Sequence, residues 1–517
     1  MTSQSRRRSG RRNRVSGSIT QSPWKTPRYH RPPYALLSED ALENIHRAGL
    51  SILQETGMTI LSDNARTRYA AAGFDVDADS QRVRFDSELL EALISSAPSS
   101  FTLQARNPAK NLRIGDGHAV FTSVGGPAYV MDRDKGRRNG SYAEMCDFLR
   151  LVQSLDILHQ DGGGGFEAMD LPAPSRHLDL FYAQCTLLDK NWVPWTMGRE
   201  QTLDAIQMMA TSLGKTPQDL VESPALCGII NTNTPLQLDI PMAEGLITMA
   251  EHGQASAITP FTLSGAMAPV TLAGALALQH AEAMAGIVLT QVVRPGAPVL
   301  YGGFTSNVDM KTGSPAFGTP EYLQAAQASG QLARRLGVPL RSSNVNAANC
   351  PDAQAAYESC LSLWGAISGQ ASMIKHAAGW LHGGLTASLE KLVIDAEIIG
   401  MAKRLIAGVE VRDEPIALEL MQKMGHRGDY LGQRHTLKWF QAEQYIPSEI
   451  IDRGSLEAWK KKGSKSAWER AQDRVAALLD TYESPPIADD VRSELRALTL
   501  KAAQTFGMDE LPPLPKD

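Results

Sequence analysis

Five side chains suited to holding a small polar molecule crowd one stretch, Ser342–Ser359 (SSNVNAANCPDAQAAYES): Asn344, Asn346, Asn349, Cys350 and Gln354. Further along come Lys375, His376 and Trp380; earlier lie His159 with Asp161, and Trp195. Amides and hydroxyls orient a polar ligand through hydrogen bonds, and the face of an aromatic ring attracts a cation. Each group also has a plainer reading. Asn349 before Cys350 and Pro351 is good turn and helix-capping chemistry. A lone thiol with no base beside it in sequence usually packs rather than attacks, so Cys350 is expected to line a cleft, not to act as a nucleophile. Rings such as Trp195, Tyr301, Phe304 and Trp380 most often fill core.

The missing motifs narrow the chemistry. The chain has no HExxH, no HxH, no Cys/His cluster at zinc spacing and no Walker A sequence. Zinc-assisted hydrolysis and two-carboxylate glycoside chemistry lose weight accordingly. What remains can bind and aim a small polar or cationic molecule, and is poorly equipped to move protons.

These residues belong to a repeating pattern that begins near residue 117. Short apolar runs end in Gly, Asn, Ser or Pro, at 118–126, 156–165, 191–198, 225–235, 255–265, 298–307, 339–349 and 371–380. Helical periodicity follows each, over roughly 141–154, 175–188, 200–213, 239–252, 271–293, 319–336, 351–368 and 385–406. Continuous apolar strands alternating with helices imply a parallel sheet buried on both faces. Eight such units predict an α/β protein with a closed (β/α)8 TIM barrel; a doubly wound open sheet is the alternative. In that barrel the active site lies where the strands end. This nominates Ser123, Tyr129, His159, Asp161, Trp195, Met197, Asn231, Asn233, Phe261, Ser264, Phe304, Ser306, the stretch 344–350, Lys375, His376 and Trp380. The glycines of GGGGF at 162–166 lack dinucleotide spacing and read as backbone held close to something bulky above the barrel.

The barrel is expected over 116–408, after an α-rich N-terminal unit at 35–115 and before an α-helical C-terminal segment at 409–517. In the N-terminal unit LSEDALENIHRAGLSILQETG predicts a helix with Ser38 as N-cap and Gly57 as stop, and Asp86–Ser95 predicts a second. The C-terminal segment includes an amphipathic helix near 456–482. Residues 1–34 are expected to form a basic flexible arm, because the first 30 hold many arginines and no acid. No apolar core of a secretory signal is present, although a transit peptide shares the composition. Trp24, Tyr29 and Tyr34 would anchor the arm, on a neighbouring subunit by expectation.

Composition sets outer bounds. The chain has 517 residues, 43% of them apolar, and a formal net charge of -5, which argues against nucleic acid as the main partner. Five scattered cysteines, an odd number with no CxxC, suit a reducing cytoplasm. The longest apolar run, ALALQHAEAMAGIVLTQVV, carries His280 and Glu282 and reads as a buried helix rather than a membrane span.

The opening stretch resembles the segment of the trimethylamine methyltransferase family in which amine-specific members carry pyrrolysine. LSEDALENIHRAGLSILQETGM, GGPAYVMD, NTNTPLQLD, SMIKHAAGWLHGGLTASLEKLVID and GQRHTLKWFQAEQYIPSEIIDR are similar to that family too, in order, from about residue 35 to 500. The resemblance implies a barrel that moves a methyl group from an amine to the Co(I) of a separate corrinoid protein, with no metal of its own and as a homo-oligomer. Here Cys350 or its immediate neighbour stands where pyrrolysine would lie. Members of that kind act on quaternary amines, glycine betaine being the prototype; a sulfonium such as dimethylsulfoniopropionate is chemically equivalent. A quaternary nitrogen already has a good leaving group, so aiming its methyl and excluding water suffices; orientation supplies about 7–11 kcal/mol at best. Strand-end position and side-chain chemistry nominate Asn344, Asn346, Cys350, Trp195 and Phe304 as substrate contacts, and the resemblance adds His376, with His159 by the same logic. A betaine carboxylate would need a donor, His376 or Lys375, and Gly302, Gly303 and Gly383 suit close approach by the flat corrin ring. Ordinary loop geometry explains the glycines equally well. His435, in RHTLKWF, is either structural or part of an interface with the corrinoid protein.

Overall fold

The computed structural model describes Gln21 and residues 23–514. Most of the basic arm, residues 1–20 and 22, lies outside the described residues. Each of the eight apolar runs holds one barrel strand: β1 Val120–Ser123, β2 Gln160–Asp161, β3 Asn191–Trp192, β4 Cys227–Ile230, β5 Ala255–Ile258, β6 Val299–Gly302, β7 Leu340–Ser343 and β8 Met373–Ala378. They pair in parallel, in the order β3-β2-β1-β8-β7-β6-β5-β4. No backbone ladder joins β3 to β4 among the described residues. The Asn191 side chain bridges that seam instead, donating to the Ala225 carbonyl at 2.6 Å and the Gln104 carbonyl at 2.5 Å. The result is a (β/α)8 barrel closed by seven ladders and one amide.

The helices between the strands are α1 Tyr142–Ser154, α2 Arg176–Leu187, α3 Arg199–Ser212, α4 Ile240–Glu251, α5 Leu272–Val293, α6 Pro320–Arg335, α7 Ala353–Ser368 and α8 Leu389–Ala407. Side-chain caps set the starts of five of them. Ser141 and Glu144 form a capping box on α1, and Asp239, Thr319, Asp352 and Ser388 accept from first-turn amides. The last helix begins at Leu389 and not near 385, because Thr386–Ser388 is a strand paired with Tyr129–Asp132 across the barrel mouth. The apolar run 275–293 forms most of α5. It is the one described helix long and apolar enough to cross a bilayer, and 83% of its apolar window is buried inside the protein.

The N-terminal helix, Glu39–Ser51, is capped by Ser38, widens to a π-turn over Ile52–Thr56 and stops at Gly57. It packs on α5 through Gly49, where an added Cβ would stand 3.1 Å from His280 and 3.2 Å from Met284. A buried chain links this unit to the barrel: Glu91 to His46 at 3.0 Å, His46 to His280 at 2.9 Å, His280 to the Tyr301 hydroxyl at 3.2 Å.

Two of the arm's three expected anchors, Trp24 and Tyr29, pack on this chain's own barrel. Trp24 joins Val120, Cys227, Leu300 and Met373 in an apolar cluster at the N-terminal end of this chain's own barrel. Tyr29 donates its amide to Gly117 and its hydroxyl to Ala371, at 2.8 and 3.0 Å. Tyr34 is exposed. The plug forms because the strand starts leave both apolar surface and free carbonyls.

In the C-terminal segment the expected helix at 456–482 is two, Leu456–Lys461 and Ala467–Asp480. Gly463 takes a positive φ and Ser466 opens a new capping box with Glu469, which together force the break. Ala471, Leu478 and Leu495 bury this part against the barrel. Residues 409–449 contain no fully buried side chain, and His435 there is half-buried, hydrogen-bonded to the Glu414 carbonyl at 3.0 Å.

Candidate active site

A cavity of about 390 Å³ opens at the C-terminal ends of the strands. Its floor comes from two neighbouring strands. Ser343 of β7 pairs with Lys375 of β8, and Arg341 pairs with Met373, so Arg341 lies one layer deeper than Lys375. The β8 ladder is irregular between Ile374 and Ala378, and His376 within it has φ 55°. Such a bulge re-aims the side chains it contains, and Lys375 and His376 both line the cavity.

The walls are aromatic. Trp195 and Phe261 are half-buried, and Phe304 and Trp380 are buried. His376 lies against Trp380 with ring centres 4.4 Å apart; Phe304 lies 5.2 Å from Phe261 and 6.3 Å from Trp380. The Trp380 indole donates to the Asn346 carbonyl at 3.1 Å, which fixes the ring plane.

Electrostatics distinguish the floor. Arg341 is 1% exposed, and its Nε and Nη1 have no hydrogen-bond partner. Its guanidinium carbon sits 5.2 Å from the centre of the Phe304 ring. Burial brings its pKa down to about 10. Lys375 is pushed down to about 7, chiefly by burial and then by the Arg341 charge, and donates to the Gly162 carbonyl. Burial, with Lys375 and Arg341 nearby, drives His376 far below its ordinary value, so its imidazole is neutral. Asp161, beside this floor, is saturated: Ser123 Oγ, the amides of Gly163 and Gly164, and Gln184 all donate to it.

The cavity brings together Trp195, Phe304 and His376 of the residues expected to touch substrate. It does not include the other four. Asn344 and Asn346 are fully buried behind the wall. Asn344 donates to the Ala377 carbonyl at 2.9 Å and to Ser359, and Asn346 receives Lys391 Nζ at 3.0 Å. Lys391 also binds Ser359 and Asp395, and Asp395 accepts from the Gly379 amide. The clustered amides of 344–346 thus hold the β8 bulge and Trp380 in place; a strand end pairs them with the next helix, not with the mouth. Cys350 sits on the loop ahead of α7 outside the cavity, its thiol raised by burial and by Asp352. His159 is at the opposite end of the barrel. It accepts from the Phe121 amide at 3.0 Å, meets the Lys25 carbonyl at 3.2 Å and packs edge-on to Trp24.

Glycines expected to face a ring mostly face the protein. A Cβ on Gly302 would lie 2.2 Å from Thr259 Oγ1, and one on Gly303 2.7 Å from Ser329, so both serve strand and helix packing. The bulky group above Gly162 is the protein's own backbone: a Cβ there would meet the Ser123 carbonyl at 2.0 Å. Gly383 is different, with nothing nearer than Phe317 at 4.0 Å.

Arg341 escaped the sequence reading. A charged residue inside PLRSS, a strand buried on both faces, was the available signal. Phe261, Lys375 and Trp380, nominated as strand-end residues, do line the cavity. Among the described residues no three His, Cys, Asp or Glu side chains converge to hold a metal ion.

The site is a small aromatic-walled chamber at the mouth of an enzyme barrel, with cations on its floor. Residues 3–507 match the family model described as trimethylamine methyltransferase (MTTB), and the chain belongs to that family. It is a methyltransferase. It is 34% identical over 478 residues to a glycine betaine methyltransferase of Desulfitobacterium hafniense (strain Y51), covering 92% of this chain and 98% of that one. To the trimethylamine methyltransferase MttB of Desulfitobacterium hafniense (strain DSM 10664 / DCB-2) it is 26% identical over 480 residues, covering 91% and 94%. The crystal structure of the Methanosarcina barkeri monomethylamine methyltransferase (MtmB) aligns with a TM-score of 0.43 at 10% identity, over 85% of this chain and 92% of that one.

Proposed function

We propose that the chain takes a methyl group from a quaternary amine, glycine betaine or a similar betaine, and passes it to the Co(I) of a corrinoid protein. The observation that carries this is the aromatic chamber with a neutral histidine: Trp195, Phe261, Phe304 and Trp380 offer ring faces, and His376 adds no charge. Rings attract an alkylated cation without bonding to it, and they exclude water. The similarity to a glycine betaine methyltransferase supports the same substrate class.

The residues here bind and aim. On transfer the N–CH3 bond breaks, nitrogen keeps the electron pair and leaves as a neutral tertiary amine, and no proton moves. A neutral His376 and a saturated Asp161 suit that balance. A corrinoid held by a partner would supply the nucleophile at the open end of the barrel. The rim fits a flat ring at Gly126 and Gly383, where added Cβ atoms would meet nothing within 4 Å and only Phe317 at 4.0 Å, respectively. The five unpaired cysteines suit a cytoplasmic setting.

Reduced free cobalamin incubated with the protein and a panel of methyl donors tests this reading. Methylation is expected with glycine betaine, and with dimethylsulfoniopropionate if a sulfonium fits the same cage. Fast turnover of trimethylamine, or no methylation from any quaternary amine or sulfonium, would overturn it.

A further inference from the structure

We infer that Arg341 is the anion-binding residue of this site, and that the substrate is a methylated zwitterion whose carboxylate rests on the cavity floor. The inference builds on the proposed methyl transfer and names the pole of the substrate that does not react.

A guanidinium stays charged in a protein, and burying one without a partner is unfavourable. Arg341 is 1% exposed and lines the cavity, with Nε and Nη1 unpartnered. Among the described residues no acidic side chain forms an ion pair with Arg341 or Lys375, whereas Glu167 at the rim is taken by Arg176 at 2.8 Å. Asp161 has its four donors already. Lys375, 3% exposed, offers three N–H bonds and has one protein acceptor among the described residues, the Gly162 carbonyl. Two buried cations therefore line one small space; the Asp161 charge acts on Lys375, but that carboxylate is committed to four other donors, and neither cation has an ion-pair partner among the described residues. A bound carboxylate supplies what both lack.

Depth makes the orientation productive. Arg341 is a layer below Lys375, and the rings rise above them. A carboxylate drawn down to Arg341 leaves the alkylated nitrogen among the rings and turns a methyl toward the open mouth. Choline and tetramethylammonium carry the same cation and no anion, so binding them would leave the guanidinium buried and unpaired. A site built around such a group rejects ligands that cannot satisfy it.

Calorimetric titration of the full chain with glycine betaine, choline, tetramethylammonium and acetate tests this. Wild type should bind betaine about 10–100-fold tighter than choline, the range expected of a charge-assisted bond. Arg341→Met should remove that preference, leave choline affinity within about threefold, and abolish competition by acetate. The ligand-free variant should melt no lower than wild type, because an unpaired buried charge has been removed. A structural arginine would show the opposite, a large drop in melting temperature and equal losses for betaine and choline. Should Arg341→Met not fold, that too overturns the assignment, and acetate competition in wild type reads the anion site without a variant. Choline bound and demethylated while betaine is ignored would sink this inference and leave methyl transfer standing. Acetate binding that depends on Arg341, with no methyl transfer from any quaternary donor, would do the reverse.

Discussion

The two ends of the barrel carry the same residue types to different ends. Each has a fully buried lysine pushed down to about 7, Lys190 at the closed end and Lys375 at the mouth. Lys190 donates to three carbonyls, those of Val152, Leu155 and Leu158, at 2.7–2.8 Å. Lys375 has one carbonyl and a cavity. Each end also has a buried histidine. Both ring nitrogens of His159 are engaged by backbone, whereas His376 has a long 3.4 Å contact to Ser343, a φ of 55° and a face on the chamber. Burial and a perturbed pKa are common to both ends. What separates structure from function is whether the polar group is saturated by its own protein.

That contrast can be broken by substitution. The largest effect is expected from Lys190→Met. It strands three buried carbonyls at about 1–3 kcal/mol each, so urea unfolding should show a loss of roughly 3 kcal/mol or more. A variant as stable as wild type would erase the distinction between the two lysines. Next comes Trp24→Ala, which opens the plug at the closed end and should lose about 2–4 kcal/mol while leaving the ranking of methyl donors unchanged. A changed ranking would show that the plug reaches the site.

Lys375→Met should reverse the pattern. Stability should move by only about 1 kcal/mol, and glycine betaine affinity should fall about tenfold, read by calorimetry. The pH dependence sharpens this. Lys375 carries its proton below about 7, and that charge favours a carboxylate. Betaine affinity should therefore weaken from pH 6 to 8 in wild type and stay flat in Lys375→Met. Both lysines also have folded values below the ordinary 10.5, so the unfolded chain holds more protons between about 7 and 10.5. Their contribution to stability accordingly rises with pH across that window. The smallest effect is at His376. Asparagine tolerates the left-handed region, so His376→Asn should keep stability within about 1 kcal/mol, whereas His376→Val should lose about 1–2 kcal/mol more. Equal melting of the two would remove the argument from backbone strain.

Much of the fold was legible because its signals are local. A buried parallel strand is a continuous apolar run, and a glycine, asparagine or proline after it marks its end within a few residues. Ser38, Asp239 and Ser388 announce helix starts by chemistry that reaches only three residues. The site was half legible for the same reason. Strand ends located Trp195, Phe304 and His376, and the same logic wrongly sent Asn344 and Asn346 to the mouth. Their amides meet Ser359 and Lys391, residues 13 to 45 positions away, and no pattern near 344 specifies those partners. His159 misled because it is just before β2 rather than after it, a shift of a few residues that places it at the other end of the barrel.

The amino-acid order alone settled eight strand-helix units, their sequence and the poverty of proton-transferring groups, since periodicity and turn chemistry act between neighbours. Tertiary structure decided which polar groups are spent on the protein and which are left for a ligand. That depends on the parallel register of β7 with β8, on a bulge that turns two side chains into a chamber, and on the lack of an ion-pair partner for Arg341 among the described residues. Hydrogen-bond saturation is a property of partners distant in the chain, and only the folded barrel brings them close enough to count.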